Sequence, residues 1–170
     1  QRPFHVIVHQ KTNSGVHTFS YTNTTDLTSF IAENIFPLFD TFDPLLISDI
    51  NNRYIAWVFY NTTLDTKLEE MFTNLAIANH EKMIFTKFDA SEYPEQTAKY
   101  GVSSYPSISI LHSNQRTAYP YHGDMKEEDI QKFIDEVIKG KAVPYLTSRN
   151  MDDVRSEERR VGKECRSRWS

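Results

Sequence analysis

Sulfur is nearly missing from this chain. Of 170 residues one is cysteine, Cys165, close to the C-terminal end. A lone thiol closes no internal disulfide and forms no Cys-x-x-Cys pair, so dithiol redox catalysis by these residues is excluded. Glycine is scarce too, at five residues, and no glycine-rich loop exists to cradle a phosphate. No apolar run approaches the roughly 20 residues of a membrane-spanning helix. Excess positive charge is lacking as well. The 19 basic and 23 acidic side chains leave a formal charge of −4, against a nucleic-acid partner. No charged-then-apolar leader follows Gln1, which leaves secretion open.

Residues 155–170, RSEERRVGKECRSRWS, resemble the translation of a common sequencing adapter and are set apart from the fold. Without them the chain holds 13 basic and 20 acidic residues and no cysteine. Residues 149–170 are expected to be a disordered tail.

What remains suits a packed core: 39% of the residues are hydrophobic and 13% aromatic. The six histidines do not combine with acids or cysteines at a metal-ligand spacing, although His5 and His9 share one strand face. No metal and no cofactor is therefore expected. The acidic pairs Glu69-Glu70, Glu127-Glu128 and Asp152-Asp153 read as solvated surface rather than paired catalytic carboxylates.

The chain repeats itself. Residues 26–35 and 129–138 share five of ten positions at a spacing of 103: Asp26 with Asp129, Phe30 with Phe133, Ile31 with Ile134, Glu33 with Glu136 and Ile35 with Ile138. Both segments place apolar residues at helical spacing. Two β-like runs precede each helix, at 4–9 and 16–21 in the first copy and at 107–111 and 117–122 in the second. The pattern is hairpin and helix, a long insert, then hairpin and helix again.

The insert supplies the rest of one domain. The run from Tyr54 to Tyr60 is apolar, aromatic and β-branched throughout, which suits a strand buried on both faces. Leu64, Leu68, Met71, Phe72, Leu75 and Ala76 form one stripe of a long helix. Residues 83–88 are the next strand, and strand–helix–strand of this length implies parallel pairing with a right-handed crossover. Residues 93–100 predict a short helix stopped by Gly101. Asp124 with Glu127 predicts a capping box for the last helix, which Gly140 and Pro144 end. Pro120 marks its strand as an edge. Residues 36–51 should add a first strand and first helix. The expected class is α/β, with element order β-α-β-α-β-α-β-β-α in a mixed sheet covered by helices on both faces. The expected domain spans residues 36–148, and residues 1–35 are the closing hairpin and helix of a truncated domain before it.

That layout resembles the thioredoxin superfamily, and two motifs carry the resemblance. Residues 58–68, VFYNTTLDTKL, run from a strand into a helix where redox-active relatives hold Cys-x-x-Cys. Leu64 and Lys67 stand in the two cysteine positions, flanking Asp65 and Thr66. Residues 102–110, VSSYPSISI, look like the family loop with a cis-proline, which points to Pro106. Within the superfamily the chain resembles the non-catalytic b and b′ domains of protein disulfide isomerases. Residues 33–38, ENIFPL, look like the junction between them, and residues 139–148 look like the exit from b′.

The resemblance implies a redox-inactive region of an isomerase in the endoplasmic reticulum lumen. It would hold unfolded or misfolded polypeptides for flanking thioredoxin-like domains of the same chain, with no nucleic acid and no membrane involved. It implies an apolar groove, for which Leu46, Phe88 and Tyr100 are the candidates, while Trp57, Phe59, Phe72 and Phe133 read as plain core. Thr86 and Lys87 interrupt the wall of such a groove. The sequons at Asn23 and Asn61 are glycosylation candidates and suit a secretory setting, and Asn61 also suits a turn. Two alternatives stand beside this reading. One is a calsequestrin-like structural or calcium-storage protein, although long acidic runs are lacking. The other is a redox-silent secretory chaperone.

Overall fold

A computed structural model describes residues 5–12, 15–21, 26–34, 36–41, 53–112 and 117–146. Two sheets are present among them. A two-stranded antiparallel hairpin is formed by β1 (Ile7–Thr12) and β2 (Gly15–Ser20), and α1 (Leu27–Asn34) follows it. The second sheet has five strands: β3 (Phe39–Thr41), β4 (Tyr54–Tyr60), β5 (Met83–Asp89), β6 (Ser107–His112) and β7 (Ala118–Pro120). Their spatial order is β3-β5-β4-β6-β7. The first three are parallel, and β6 and β7 add as an antiparallel hairpin. Helices α2 (Thr66–Asn79), α3 (Pro94–Lys99) and α4 (Glu127–Ile138) complete the unit.

The central place of β4 follows from its composition. All of Ile55, Ala56, Trp57, Val58 and Phe59 are buried, because both faces of the strand are covered. One face gives the larger core, where Ala56 and Val58 meet Phe72, Leu75 and Ala76 of α2, Phe85 of β5, Ile108 and Ile110 of β6, and Ile130, Ile134 and Val137 of α4. The other face gives a second, aromatic core of Phe36, Ile55, Trp57, Phe59, Phe88 and Val102. Full burial of side chains of this size contributes about 1.5–3 kcal/mol each.

Helix ends are specified locally. Asp65 caps α2, its carboxylate accepting from the Lys67 N–H at 2.8 Å. The stripe read from Leu64 onward therefore starts one residue before the cap. Leu64 still packs against the larger core from the connecting turn. Helix α4 corrects the expected capping box. It begins at Glu127, and its N-cap residue, Lys126, makes no side-chain capping hydrogen bond. Asp124 is instead held in the preceding turn, where its carbonyl accepts from the Lys126 N–H at 2.8 Å and its carboxylate pairs with Lys126 Nζ at 2.9 Å.

Gly101, at φ +73°, closes α3 in a left-handed turn. The Val102 N–H reaches back to the Thr97 carbonyl, as in a Schellman motif. A Cβ on Gly101 would stand 2.9 Å from Tyr145 Cδ2 and 3.0 Å from Pro120 Cγ. Tyr145 is there because the chain after α4 returns to the sheet edge. Its N–H donates to the Ala118 carbonyl at 2.7 Å, covering part of the edge that Pro120 marks.

The hairpin and α1 dock on this unit through Gln10 and Phe19. The Gln10 amide donates to the carbonyls of Asn34 at 2.9 Å and Phe36 at 2.8 Å. The Phe19 ring lies 4.6 Å from the imidazole of His80, at the end of α2, and packs against the larger core.

Candidate functional site

The turn that leaves β4 and enters α2 sits beside the end of β5, and its backbone is strained. Thr62, a β-branched residue, holds φ +67°, and the Thr63 N–H donates to the Asn61 carbonyl at 2.8 Å. Such a γ-turn costs on the order of 1–3 kcal/mol. Asp89, the last residue of β5, holds the turn in place. Its carboxylate accepts from the Thr62 N–H at 3.3 Å, the Ser91 N–H at 2.9 Å and the Ser91 hydroxyl at 2.7 Å. The hydroxyl hydrogen bond in particular keeps the Asp89 carboxyl below the usual carboxylate range. Burial, and then the neighbouring Asp89 charge, push the Tyr60 phenol above its ordinary value. Asn61 is exposed on this turn, so it is accessible as a sequon and serves as a turn residue. Asn23 lies outside the described residues.

The helix terminus here carries no thiol. Leu64 is turned into the core, Asp65 occupies the cap and Lys67 is exposed in the first turn of α2. The loop before β6 approaches from the other strand, and its Tyr105–Pro106 peptide is cis. Among the described residues no group of three His, Cys, Asp or Glu side chains converges as metal ligands do. His9 is exposed and faces the Thr18 hydroxyl across the hairpin at 3.1 Å.

The opposite face of the sheet brings the aromatic candidates together. Phe59 and Phe88 are register partners on β4 and β5, with ring centroids 5.2 Å apart. Trp57 stacks on Phe88 at 5.5 Å and meets Tyr100 at 4.5 Å. Burial alone raises the Tyr100 phenol above its ordinary pKa. Trp57 and Phe59 are buried core as expected, and the groove candidates Phe88 and Tyr100 pack with them rather than apart from them. Alternate residues of adjacent parallel strands point to one side, which joins Trp57, Phe59 and Phe88, and Tyr100 packs on them from the end of α3. Phe88 is 7% exposed and forms the floor of this cluster, while Tyr100 is half-buried at its margin. Leu46 lies outside the described residues.

Sequence reasoning missed Tyr93. This residue precedes Pro94 at the start of α3, is 56% exposed, and sets its ring 5.7 Å from that of Phe88. The aromatic cluster reaches solvent through it. Tyr105 is also exposed, and its hydroxyl donates to the Thr97 hydroxyl at 2.9 Å, tying the cis-proline loop to α3. The available signal was a large aromatic beside a proline at the start of an otherwise polar helix.

Residues 2–136 match a family model described as a thioredoxin-like domain. The chain belongs to that family. Its thioredoxin-like sheet order, with helices on both faces, agrees with the match. In sequence the chain is similar to Endoplasmic reticulum resident protein 44 of Homo sapiens, at 21% identity over 138 residues. That alignment covers 80% of this thioredoxin-like chain and 32% of the human protein, so the chain spans about a third of that relative's length. In structure it is similar to the bb fragment of ERp72, with TM-score 0.54 and 14% identity over 76% of this chain and 62% of the other. It is also similar to the first thioredoxin domain of mouse Protein disulfide-isomerase A4, with TM-score 0.51 and 21% identity over 65% and 82%. At these identities the two structures speak for the thioredoxin-like fold alone.

Proposed function

We propose that this chain is a redox-silent, polypeptide-binding region of a protein disulfide isomerase of the endoplasmic reticulum lumen, of the b/b′ kind. The observation that carries the reading is the aromatic cluster around Phe88 opening to solvent at Tyr93 and Tyr100, in a chain whose helix terminus at Leu64–Lys67 has no thiol. Apolar rings with a polar rim suit segments of unfolded polypeptide, because burial is non-directional and tolerates sequence. The dithiol chemistry would belong to flanking thioredoxin-like domains. The likeness to an endoplasmic reticulum resident protein and the exposed Asn61 sequon support the compartment.

The test is fluorescence anisotropy with a labelled, reduced and alkylated unfolded polypeptide. Tyr93→Ala and Tyr100→Ala should each weaken binding about three- to tenfold, equivalent to roughly 0.7–1.4 kcal/mol. Unchanged binding by both variants, with circular dichroism showing the fold intact, would overturn the assignment.

A further inference from the structure

The strip of chain that carries Tyr93 is rich in negative charge. Between Phe88 and Tyr100 stand three carboxylates, Asp89, Glu92 and Glu95, and one lysine, Lys99. Glu92 and Glu95 flank the exposed Tyr93 and are themselves exposed, while Asp89 is half-buried. Among the described residues none of these three carboxylates enters an ion pair. Lys87 is held by Glu69 at 2.6 Å and lies on the other face of the sheet from Phe88. Lys99 is in the last turn of α3, about 8 Å along the helix from Pro94.

Two of the carboxylates act at one place. The Tyr60 phenol, raised first by burial, also feels the charges of Asp89, its register partner on β5, and of Glu92. Both charges therefore gather where β4 and β5 end. Asp89 stays ionised near neutral pH, because Ser91 and Thr62 donate to it. Acidic groups alone in water attract only loosely held counter-ions. Here they stand beside apolar surface. The Tyr93 ring lies 5.7 Å from Phe88, which stacks on Trp57. A cation brought to this rim is attracted by the carboxylates and by the negative faces of the rings. The apolar side chain next to it in sequence finds a surface on which to bury.

From this charge complementarity we infer that the Tyr93 opening selects among unfolded segments. It takes an apolar or aromatic side chain with a lysine or arginine close by, and it disfavours acidic flanks. This preference rests on the polypeptide-binding reading and adds to it which segments are held. Distance sets the pattern. Screening confines the attraction to about 8 Å at physiological salt. An extended chain advances about 3.3–3.6 Å per residue. The cation therefore has to stand within about two residues of the apolar anchor.

The experiment is an anisotropy titration of the 170-residue chain with four labelled, unstructured peptides that share one Leu-Phe-Leu anchor. The first has a lysine two residues to either side of the anchor. Glutamine and then glutamate take those places in the second and third. In the fourth the lysines move to the peptide ends, well beyond the screening distance. At low salt the first peptide should bind about tenfold more tightly than the third, with the second between them. That ratio should fall below about twofold at about 0.5 M salt, and to about threefold or less in the double variant Glu92→Gln with Glu95→Gln. Equal affinity for the first and third peptides overturns the inference. A ratio that survives in the double variant also overturns it, since the charge then acts from elsewhere on the chain. So does a fourth peptide as tight as the first. Those three results leave polypeptide binding standing. If none of the peptides binds, the polypeptide-binding reading fails and the charge preference fails with it.

Discussion

Trp57 and Phe88 lie on neighbouring parallel strands with ring planes 9° apart and centroids 5.5 Å apart. The pair is diagonal in register, since Phe59 is the direct partner of Phe88. It makes the floor of the aromatic face a stack of rings rather than an open wall, and it separates residues that hold the floor from those that reach solvent.

The separation can be measured. Phe88→Ala should lower unfolding free energy by about 3–5 kcal/mol, the range for large buried aromatics. Tyr93→Ala should cost less than about 1 kcal/mol, because more than half of its side chain is already in water. Urea titration followed by tryptophan fluorescence distinguishes them. Equal costs would mean that Tyr93 belongs to the core.

Acid should loosen the turn at Thr62. The Asp89 carboxyl has a folded pKa below its unfolded value, so its ionised form favours the folded state. That contribution is complete above the unfolded carboxylate pKa of about 4 and is lost as pH falls through the lower folded value. The difference in urea midpoint between the parent chain and Asp89→Asn should therefore be larger at pH 6 than at pH 2. A constant difference would show that the carboxylate charge is irrelevant to the turn.

Glu69 of α2 and Lys87 of β5 form an ion pair at 2.6 Å with both side chains largely covered, and the Lys87 ammonium also lies 5.3 Å over the Phe39 ring. Removing one partner leaves a poorly hydrated charge, so Glu69→Gln should destabilise by about 1–3 kcal/mol. Replacing both residues with apolar ones, as Glu69→Leu with Lys87→Met, should cost much less. Urea midpoints of the three variants decide this. A double variant as weak as the single one would refute the account.

Gly101→Ala combines two costs, a left-handed backbone and a Cβ contact below 3 Å with the Tyr145 ring. The expected loss is at least about 2 kcal/mol. Adding Tyr145→Ala should recover part of it by removing the contact, measured as a rise in thermal midpoint over the single variant.

These features were legible in the sequence to different degrees. The unbroken apolar run at β4 and the strand–helix–strand spacing were enough for the parallel centre, and Pro120 for the edge. The cap of α4 was misread because Asp124 and Glu127 have capping-box spacing. Spacing does not reveal that the Asp124 carboxylate is already taken by Lys126 in the turn before. The first hairpin reaches Thr12, past the expected end of its strand, because Gln10, Lys11 and Thr12 lie in a half-exposed ribbon where hydrophobic alternation fades. That Phe88 and Tyr100 pack with the core pair Trp57 and Phe59 was hidden for a different reason. Period two tells which residues of one strand share a side, but not which side of the neighbouring strand they meet until pairing register is known. The motif around Pro106 was read through family likeness, since local sequence alone does not select a proline isomer.

The return of Tyr145 to Ala118 has a practical consequence for anyone trimming this molecule. A fragment ending at Gly140, just past the last helix, would retain every described helix and strand yet leave the rim beyond β7 bare. Unpaired backbone at such a rim templates self-association. The usable end point of a fragment therefore includes Tyr145, past a stretch that looks dispensable by helix content alone.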